Sequence, residues 1–147
     1  MPDFALCLKC GKKYDKNAYS STELNSSKVC CMDLECLGDI CRTDAWGYPV
    51  AERLREKRYP VFQCCASSSG NAGMVYLVFW GVNLNKQLEV LMPSPIFRNG
   101  EDDGTIRQYC FQWSIQASNK AELKRSMLVR REEILNKMEL LSPYEGF

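Results

Sequence analysis

The stretch Cys7-Leu8-Lys9-Cys10-Gly11-Lys12 constrains the fold more than any other part of the sequence. Two thiolates in a C-x2-C turn can face one metal ion, and the glycine that follows them permits a left-handed backbone. Backbone N–H groups of such a turn can also stabilise the charge on the sulfurs. The pattern is typical of a zinc knuckle, and it predicts one half of a Zn²⁺ site near the N-terminal end of this sequence.

The second half of the site is expected about twenty residues later, in the C-x4-C segment Cys31-Met32-Asp33-Leu34-Glu35-Cys36. The predicted Zn²⁺ ligands are Cys7, Cys10, Cys31 and Cys36. Two substitutes for Cys31 stay open, first Cys41, because it ends a second C-x4-C segment, and then Cys30. An ion with four protein ligands has no open coordination position, so the predicted zinc is structural.

Interpretations other than this zinc site also apply to the nine cysteines of the chain. Free cysteine is one of the most buried residue types, so the N-terminal thiols could be inert core residues, or they could sense redox state. Zinc is favoured because a segment of about 40 residues with few large apolar side chains needs a staple to fold. Cys64, Cys65 and Cys110 are expected to pack in strands, although a second metal site on Cys64 and Cys65 stays open.

The composition is that of a globular chain with one unusual absence. A length of 147 residues suits one domain, and 46% hydrophobic with 25% charged residues are ordinary proportions. The net charge of +1 gives no overall field that would steer the protein to nucleic acid or membranes. Histidine is absent, which excludes Ser-His-Asp, Cys-His and histidine-metal hydrolytic sites. We therefore expect no enzymatic activity.

An intracellular protein, cytoplasmic or nuclear, is expected. Residues 1–6 lack the basic and apolar regions of a secretory signal, and Asp3 argues against a transit peptide. No apolar run reaches the ~18 residues of a membrane span, the longest candidate being Met74 to Trp80. Neither a membrane nor a small-molecule substrate is therefore an expected partner.

From residue 60 onward the hydrophobic pattern has the period of β-strands. In the segment 108–115 large apolar residues alternate with polar ones, so the face that carries Phe111 and Trp113 must be buried. Met74 to Trp80 is apolar on both faces, which marks a central strand, and we expect it to form a hairpin with the next strand. The four predicted strands are Val61 to Cys65, Met74 to Trp80, Gln87 to Met92 and 108–115.

These patterns predict an α+β fold in which an N-terminal four-cysteine zinc lobe is joined to an antiparallel sheet of about four strands, packed by a C-terminal helix. Three parts are expected along the chain. Residues 1–45 form the zinc-binding cysteine-rich lobe, and residues 46–59 form a connector with a short basic helix at Val50 to Arg58. Residues 60–147 form the sheet and C-terminal helix as one compact unit.

The longest helix is predicted from Leu123 to about Leu141, after a pattern close to a capping box at Asn119 and Glu122. Its apolar residues fall on one face, which should cover the sheet. Three cations, Lys120, Lys124 and Arg131, form a row beside that face. Their stems could lie along apolar surface, or the cations could rim the docking groove of an acidic or phosphate-bearing partner.

The expected function is that of a non-catalytic zinc-stabilised interaction module, a subunit or adaptor of an intracellular assembly whose partner is another protein. The alternative is binding of single-stranded DNA or RNA, because aromatic residues interleave with cations in the stretch 46–59. A cysteine-based redox or transfer enzyme is a third hypothesis. The polar stretch 17–28 is a candidate recognition loop of the zinc lobe. The candidate partner or nucleic-acid contacts are Trp46, Tyr48, Arg53, Arg55, Lys57, Arg58, Lys124 and Arg131.

Overall fold

The computed structural model describes residues 4–15, 31–91 and 97–145 of the chain. They form an α+β fold with one mixed sheet and a C-terminal helix. The strands are β1 (Phe4–Cys7), β2 (Lys13–Asp15), β3 (Ile40–Thr43), β4 (Val61–Ser69), β5 (Ala72–Val82), β6 (Phe97–Asn99) and β7 (Ile106–Gln116). The α-helices are α1 (Tyr48–Glu56), α2 (Leu84–Gln87) and α3 (Lys120–Lys137), with 3-10 turns at Glu89–Leu91 and Met138–Leu140.

The sheet is larger than the four strands expected, because the cysteine-rich segment contributes to it. The described strands lie in the order β2-β1-β3-β4-β5-β7-β6. All neighbours are antiparallel except β3 and β4, which pair in parallel through Arg42 with Gln63 and Thr43 with Cys64. The chain passes through α1 between these two strands, which returns it in the same direction. The strands β1, β2 and β3 of the cysteine-rich segment are therefore hydrogen-bonded to the rest of the sheet, while the boundaries predicted at residues 45 and 59 stay a prediction.

The longest strands, β5 and β7, form the centre of the molecule. They pair antiparallel from Ala72 with Gln116 to Val82 with Ile106. Phe111 and Trp113 are both 1% exposed, so the predicted burial of this face is confirmed. Phe79 of β5 meets Phe111 edge to face, with ring centroids 5.6 Å apart.

The predicted strand Gln87 to Met92 is wrong within the described residues, which form α2 and a 3-10 turn there. Leu84, Leu88 and Leu91 are buried at helical spacing, a pattern that the run of apolar residues concealed. The hairpin partner of β5 is instead β4, which continues to Ser69 and turns at Gly70 and Asn71. The polar Ser67–Ser69 remains in the strand because this end of the hairpin is solvent-exposed.

Both helix predictions are correct in kind, with shifted ends. Helix α1 starts at Tyr48, two residues earlier than expected, because Pro49 lies in the first turn where a missing N–H costs nothing. Helix α3 begins at Lys120, where the Asn119 side chain accepts a hydrogen bond from the Glu122 backbone N–H at 2.9 Å. Leu123 and Ile134 of its apolar face are buried, and Met138 and Leu141, which follow the helix, are buried as well.

The joint between β3, α1 and β4 is built on one buried carboxylate. The two oxygens of Asp44 accept hydrogen bonds from the backbone N–H groups of Gly47 at 2.8 Å and Ala66 at 2.9 Å. A Cβ on Gly47 would lie 2.0 Å from the carbonyl oxygen of Cys64, so only glycine allows this close approach. The joint holds the start of α1 against β4, which pairs with β3.

Candidate metal centre

The side chains of Cys7, Cys10, Cys31 and Cys36 converge, with all four sulfurs within 4.8 Å of one another. The Sγ atoms of Cys7 and Cys36 lie 3.6 Å apart, and those of Cys10 and Cys31 lie 3.9 Å apart. Disulfide bonding requires about 2.05 Å, so these are free thiols at non-bonded distance. Tetrahedral zinc with Zn–S bonds of about 2.3 Å separates its sulfurs by about 3.8 Å. The observed spacing therefore suits one ion held by four thiolates.

The first pair of cysteines lies in a tight turn between β1 and β2. Gly11, at φ +78°, takes the left-handed conformation, and its N–H donates to the Cys7 carbonyl at 3.0 Å. The backbone N–H of Cys10 donates to the Cys7 sulfur at 3.4 Å. An N–H directed at sulfur stabilises a thiolate, so this turn is suited to hold a charged ligand.

The second pair lies in the segment between Cys31 and Gly38, where the Cys31 N–H donates to the Gly38 carbonyl at 2.7 Å. The Cys36 N–H donates to the Asp33 carbonyl at 3.0 Å, which turns the C-x4-C segment back on itself. A Cβ on Gly38 would lie 2.9 Å from the Cys7 sulfur and 2.4 Å from the Lys9 Cβ. Glycine is therefore required where the two halves of the centre meet.

A tyrosine from β2 completes the surroundings of the sulfurs. The Tyr14 hydroxyl lies 3.0 Å from the Cys31 sulfur. Burial raises the pKa of the Cys31 thiol, but hydrogen bonds from Tyr14 and from the Asp33 backbone outweigh it and lower that pKa below its usual range. Burial instead raises the pKa of the Cys7 thiol. Sequence analysis missed Tyr14 and Gly38, and the only signal was their position within four residues of a predicted ligand.

Two cations lie next to the turns that carry the four cysteines. The Lys9 ammonium donates to the Cys36 carbonyl at 3.3 Å. The Arg55 guanidinium lies against Gly11, where a Cβ would be only 3.1 Å from its Cζ, and also pairs with Glu52 at 3.6 Å. Four thiolates around a divalent ion carry a net charge of −2, which nearby cations offset.

The remaining described cysteines lie elsewhere. Cys41 and Cys64 are fully buried in the main core, where burial raises the pKa of both thiols, and the Cys64 thiol donates to the Gly47 carbonyl at 3.3 Å. Cys65 is buried beside Gln63, and Cys110 is half-buried on β7. Among the described residues no second group of three ligands converges, which is against the second metal site and against Cys41 as a substitute. Cys30 and the predicted loop 17–28 lie outside the described residues.

The aromatic residues of the stretch 46–59 face inward. Trp46 is 8% exposed, and its indole N–H donates to the Met127 carbonyl of α3 at 2.7 Å. The Lys13 ammonium lies 4.7 Å from the ring centroid of the half-buried Tyr48. These contacts join α1 to α3 and to β2, and nucleic-acid binding through this stretch stays a prediction.

The basic residues of the same stretch are dispersed. Arg53 and Arg58 are exposed, Arg55 lies at the metal centre, and the Lys57 ammonium donates to the Leu141 carbonyl. Lys124 and Arg131 line a separate cleft beside α3. The eight candidate contacts therefore belong to several surfaces and do not form one patch.

Comparisons with known proteins give no information about this site. No family model matches the chain, and no curated protein or solved structure is significantly similar to it. Within the described residues, no helix has both the length and the apolar character needed to cross a bilayer.

Proposed function

We propose that this chain is a non-catalytic interaction module, a subunit or adaptor of an intracellular assembly, whose cysteine-bearing lobe is stabilised by one Zn²⁺. The four predicted ligands are Cys7, Cys10, Cys31 and Cys36. The proposal is carried by one observation, the convergence of these four sulfurs within 4.8 Å.

The donor set favours a structural zinc ion. Thiolates are soft ligands that select zinc, cuprous copper or iron–sulfur chemistry over magnesium or calcium, and a tetrahedral four-sulfur set suits zinc. With all four positions taken by protein, no water is bound and activated, so the ion itself supplies no catalysis. The cations Lys9 and Arg55 beside the turns offset the negative charge that such a centre carries.

The surface of the segment 31–38, which carries the second cysteine pair, supports a role in interaction. Three large apolar side chains of the second pair's segment are exposed: Met32 at 54%, Leu34 at 84% and Leu37 at 56%. Leu37 also has φ +49°, a conformation that L side chains adopt at a cost. Clustered exposed apolar residues commonly mark contact sites for other proteins.

Metal analysis of the purified protein tests the zinc half of the proposal. We expect elemental mass spectrometry to find one zinc per chain. X-ray absorption spectroscopy should show four sulfur neighbours at about 2.3 Å from the zinc ion. Cys7→Ser and Cys10→Ser should each lose the metal, whereas the matched control Cys110→Ser should keep it. A folded protein without metal would contradict the proposal, and three sulfurs plus one oxygen would contradict a structural role.

Native purification tests the interaction half. The chain is isolated from its own cells, and the co-purifying molecules are identified by mass spectrometry. A protein recovered in constant ratio supports an adaptor or subunit role, provided that Leu34→Ser or a change in the α3 cleft described below reduces its recovery. Recovery of nucleic acid that dissociates steeply with salt would favour the alternative function.

A further inference from the structure

A cleft of about 540 Å³ lies beside α3, bounded by the turn at Ala45 and by the end of the β4–β5 hairpin at Ser68 and Gly70. Clefts of about 300–1,000 Å³ are the usual size of binding pockets. Helix α3 runs close over β5 here, since a Cβ on Gly73 would lie 3.1 Å from the Leu123 side chain. None of the four cysteines lines this cleft.

The floor of the cleft is apolar. It is formed by Leu123, Met127 and Leu128 of α3 and by the edge of Trp46. The Trp46 indole N–H is already bonded to the Met127 carbonyl, so it offers no polar group to a ligand. Leu128 is 39% exposed, which leaves apolar surface for a ligand to cover.

The rim of the cleft is cationic. It carries Lys120, Lys124 and Arg131, and its lining includes no acidic residue. Arg131 is engaged, because its guanidinium donates to the carbonyls of Ala45 at 3.4 Å and Trp46 at 3.5 Å. The two lysines are exposed, and within residues 4–15, 31–91 and 97–145 no acid pairs with them. They are the charges available to a partner.

We propose that this cleft binds an acidic peptide segment of a partner protein, with apolar side chains on the floor and carboxylates at Lys120 and Lys124. The inference rests on the proposed interaction role and names the partner's chemistry. Lys120 and Arg131 are eleven helical residues apart, about 16 Å, which matches about five residues of extended peptide. An acidic peptide suits the site better than single-stranded nucleic acid, because stacking of bases needs an exposed aromatic face and Trp46 is 8% exposed.

Titration with labelled synthetic peptides tests the inference on the full-length, metal-loaded chain. The main probe is a peptide of about ten residues that alternates glutamate and leucine, long enough to place the estimated five residues in the cleft in more than one register. Two comparison probes are a glutamate–serine peptide without apolar residues and an oligothymidine of similar length. We expect saturable binding of the glutamate–leucine peptide, weakened by salt, with shifts of the Ala45, Gly70 and Leu128 amide signals in NMR spectra.

Two pairs of variants separate the rim from the floor. The double variant Lys120→Glu with Lys124→Glu should weaken binding by about three- to ten-fold, as expected for exposed charge pairs. The control Lys86→Glu with Arg125→Glu changes net charge equally and should leave affinity within about two-fold. Leu128→Ser should weaken binding by about ten-fold, whereas Val129→Ser, 56% exposed on the other side of α3, should not.

Zinc content and thermal stability are measured for every variant, so loss of the cleft and loss of the metal centre are distinguished. Binding that follows the two cleft pairs supports the inference. It is overturned by absence of saturable binding, by equal binding of the glutamate–serine peptide, or by tighter binding of oligothymidine. Self-association of the chain that competes with the peptide would overturn it in favour of a second copy.

Discussion

Two regions of the molecule are held together differently: the metal lobe, described residues 4–15 and 31–40, and the sheet core on β4, β5, β7, α1 and α3. The lobe's own described cluster consists of Ala5, Cys7, Cys31 and Ile40, with Tyr14 and Cys36 packed beside it. The sheet core contains five large aromatic side chains that are at most 1% exposed: Tyr59, Phe79, Tyr109, Phe111 and Trp113. Two of the lobe cluster's four buried residues, Cys7 and Cys31, belong to the four-cysteine group, so half of that cluster consists of sulfur-bearing side chains.

The difference shows what each region needs in order to fold. Burying large side chains contributes about 1.5–3 kcal/mol each, which the sheet core obtains many times over. The lobe has too few apolar residues to offset the conformational entropy of ordering its turns. We therefore expect its stability to come from bonds to the proposed ion and from pairing of β1 with β3. This difference predicts that removal of the ion and loss of a buried side chain destabilise different parts of the molecule.

Removing the metal should disorder the lobe and leave the sheet core folded. Structural zinc in zinc-finger peptides binds with apparent free energies of about 10–16 kcal/mol at pH 7, far more than the lobe's apolar cluster supplies. After chelation, hydrogen exchange of the Leu8 and Cys31 amides should lose protection while that of Leu77 and Phe111 persists. Unchanged protection of Cys31 would show that the apolar cluster suffices without an ion.

Truncating the sheet core should have the next largest effect. Trp113→Ala should lower the free energy of unfolding by about 3–5 kcal/mol, because it empties a buried site in the main core. Urea denaturation of the metal-loaded protein measures this loss. The control Gln112→Ala, on the opposite face of β7, should stay within about 0.5 kcal/mol of wild type. Equal losses for both variants would contradict the one-faced burial of this strand.

The two regions also differ in how far the sequence predicts them. The ligand pairs were visible because a C-x2-C turn has a local chemical reason for its spacing, and β7 was visible because Phe111 and Trp113 alternate with polar residues. Strands β1, β2 and β3 were missed because three or four residues carry too little periodicity. Their partners are also distant in sequence, as in the pairing of Leu6 with Cys41.

Long-range packing explains the other misses. The segment Gln87 to Met92 reads as a strand because Leu88, Val90, Leu91 and Met92 form a short, mostly apolar run, where strand and helix cannot be distinguished by period. Trp46 is a candidate contact residue because its sequence neighbours are basic, but the acceptor of its indole N–H is the carbonyl of Met127, 81 residues away, which no local pattern indicates. Only the fold shows that this ring closes the space between α1 and α3.

A substitution at the joint tests how tightly the two regions are coupled. Asp44→Ala should lower the free energy of unfolding by about 2–3 kcal/mol, because it leaves the N–H groups of Gly47 and Ala66 without their acceptor. The control Asp39→Ala removes an exposed carboxylate and should change little. If Asp44→Ala destabilises α1 and β4 but leaves protection of Cys31 unchanged in hydrogen exchange, the metal lobe is held independently of the joint.

The smallest expected effect concerns an exposed ion pair at the far end of the sheet core. Hydrogen bonds from the Arg107 guanidinium hold the pKa of Asp103 well below its usual range. Because the folded-state pKa is the lower one, the pair stabilises the fold above the unfolded pKa of about 3.9, and this contribution is lost as pH falls through the folded value. The metal lobe should respond to acid at higher pH, since its thiolates must be deprotonated to bind the ion.

Asp103→Asn should therefore lower the urea midpoint of the sheet core slightly at pH 7, and the difference from wild type should shrink as pH falls below about 4. The effect is small because the pair is exposed and screened, so added salt should reduce it as well. Glu89→Gln, which removes an exposed charge from the 3-10 turn, is the matched control. A difference that persists unchanged at low pH and high salt would assign the effect to the loop's geometry, since Asp103 also accepts hydrogen bonds from Thr105. The sheet core would then owe its stability to packing and not to this ion pair. It would differ more clearly from the metal lobe, whose stability we expect to depend on a bound ion.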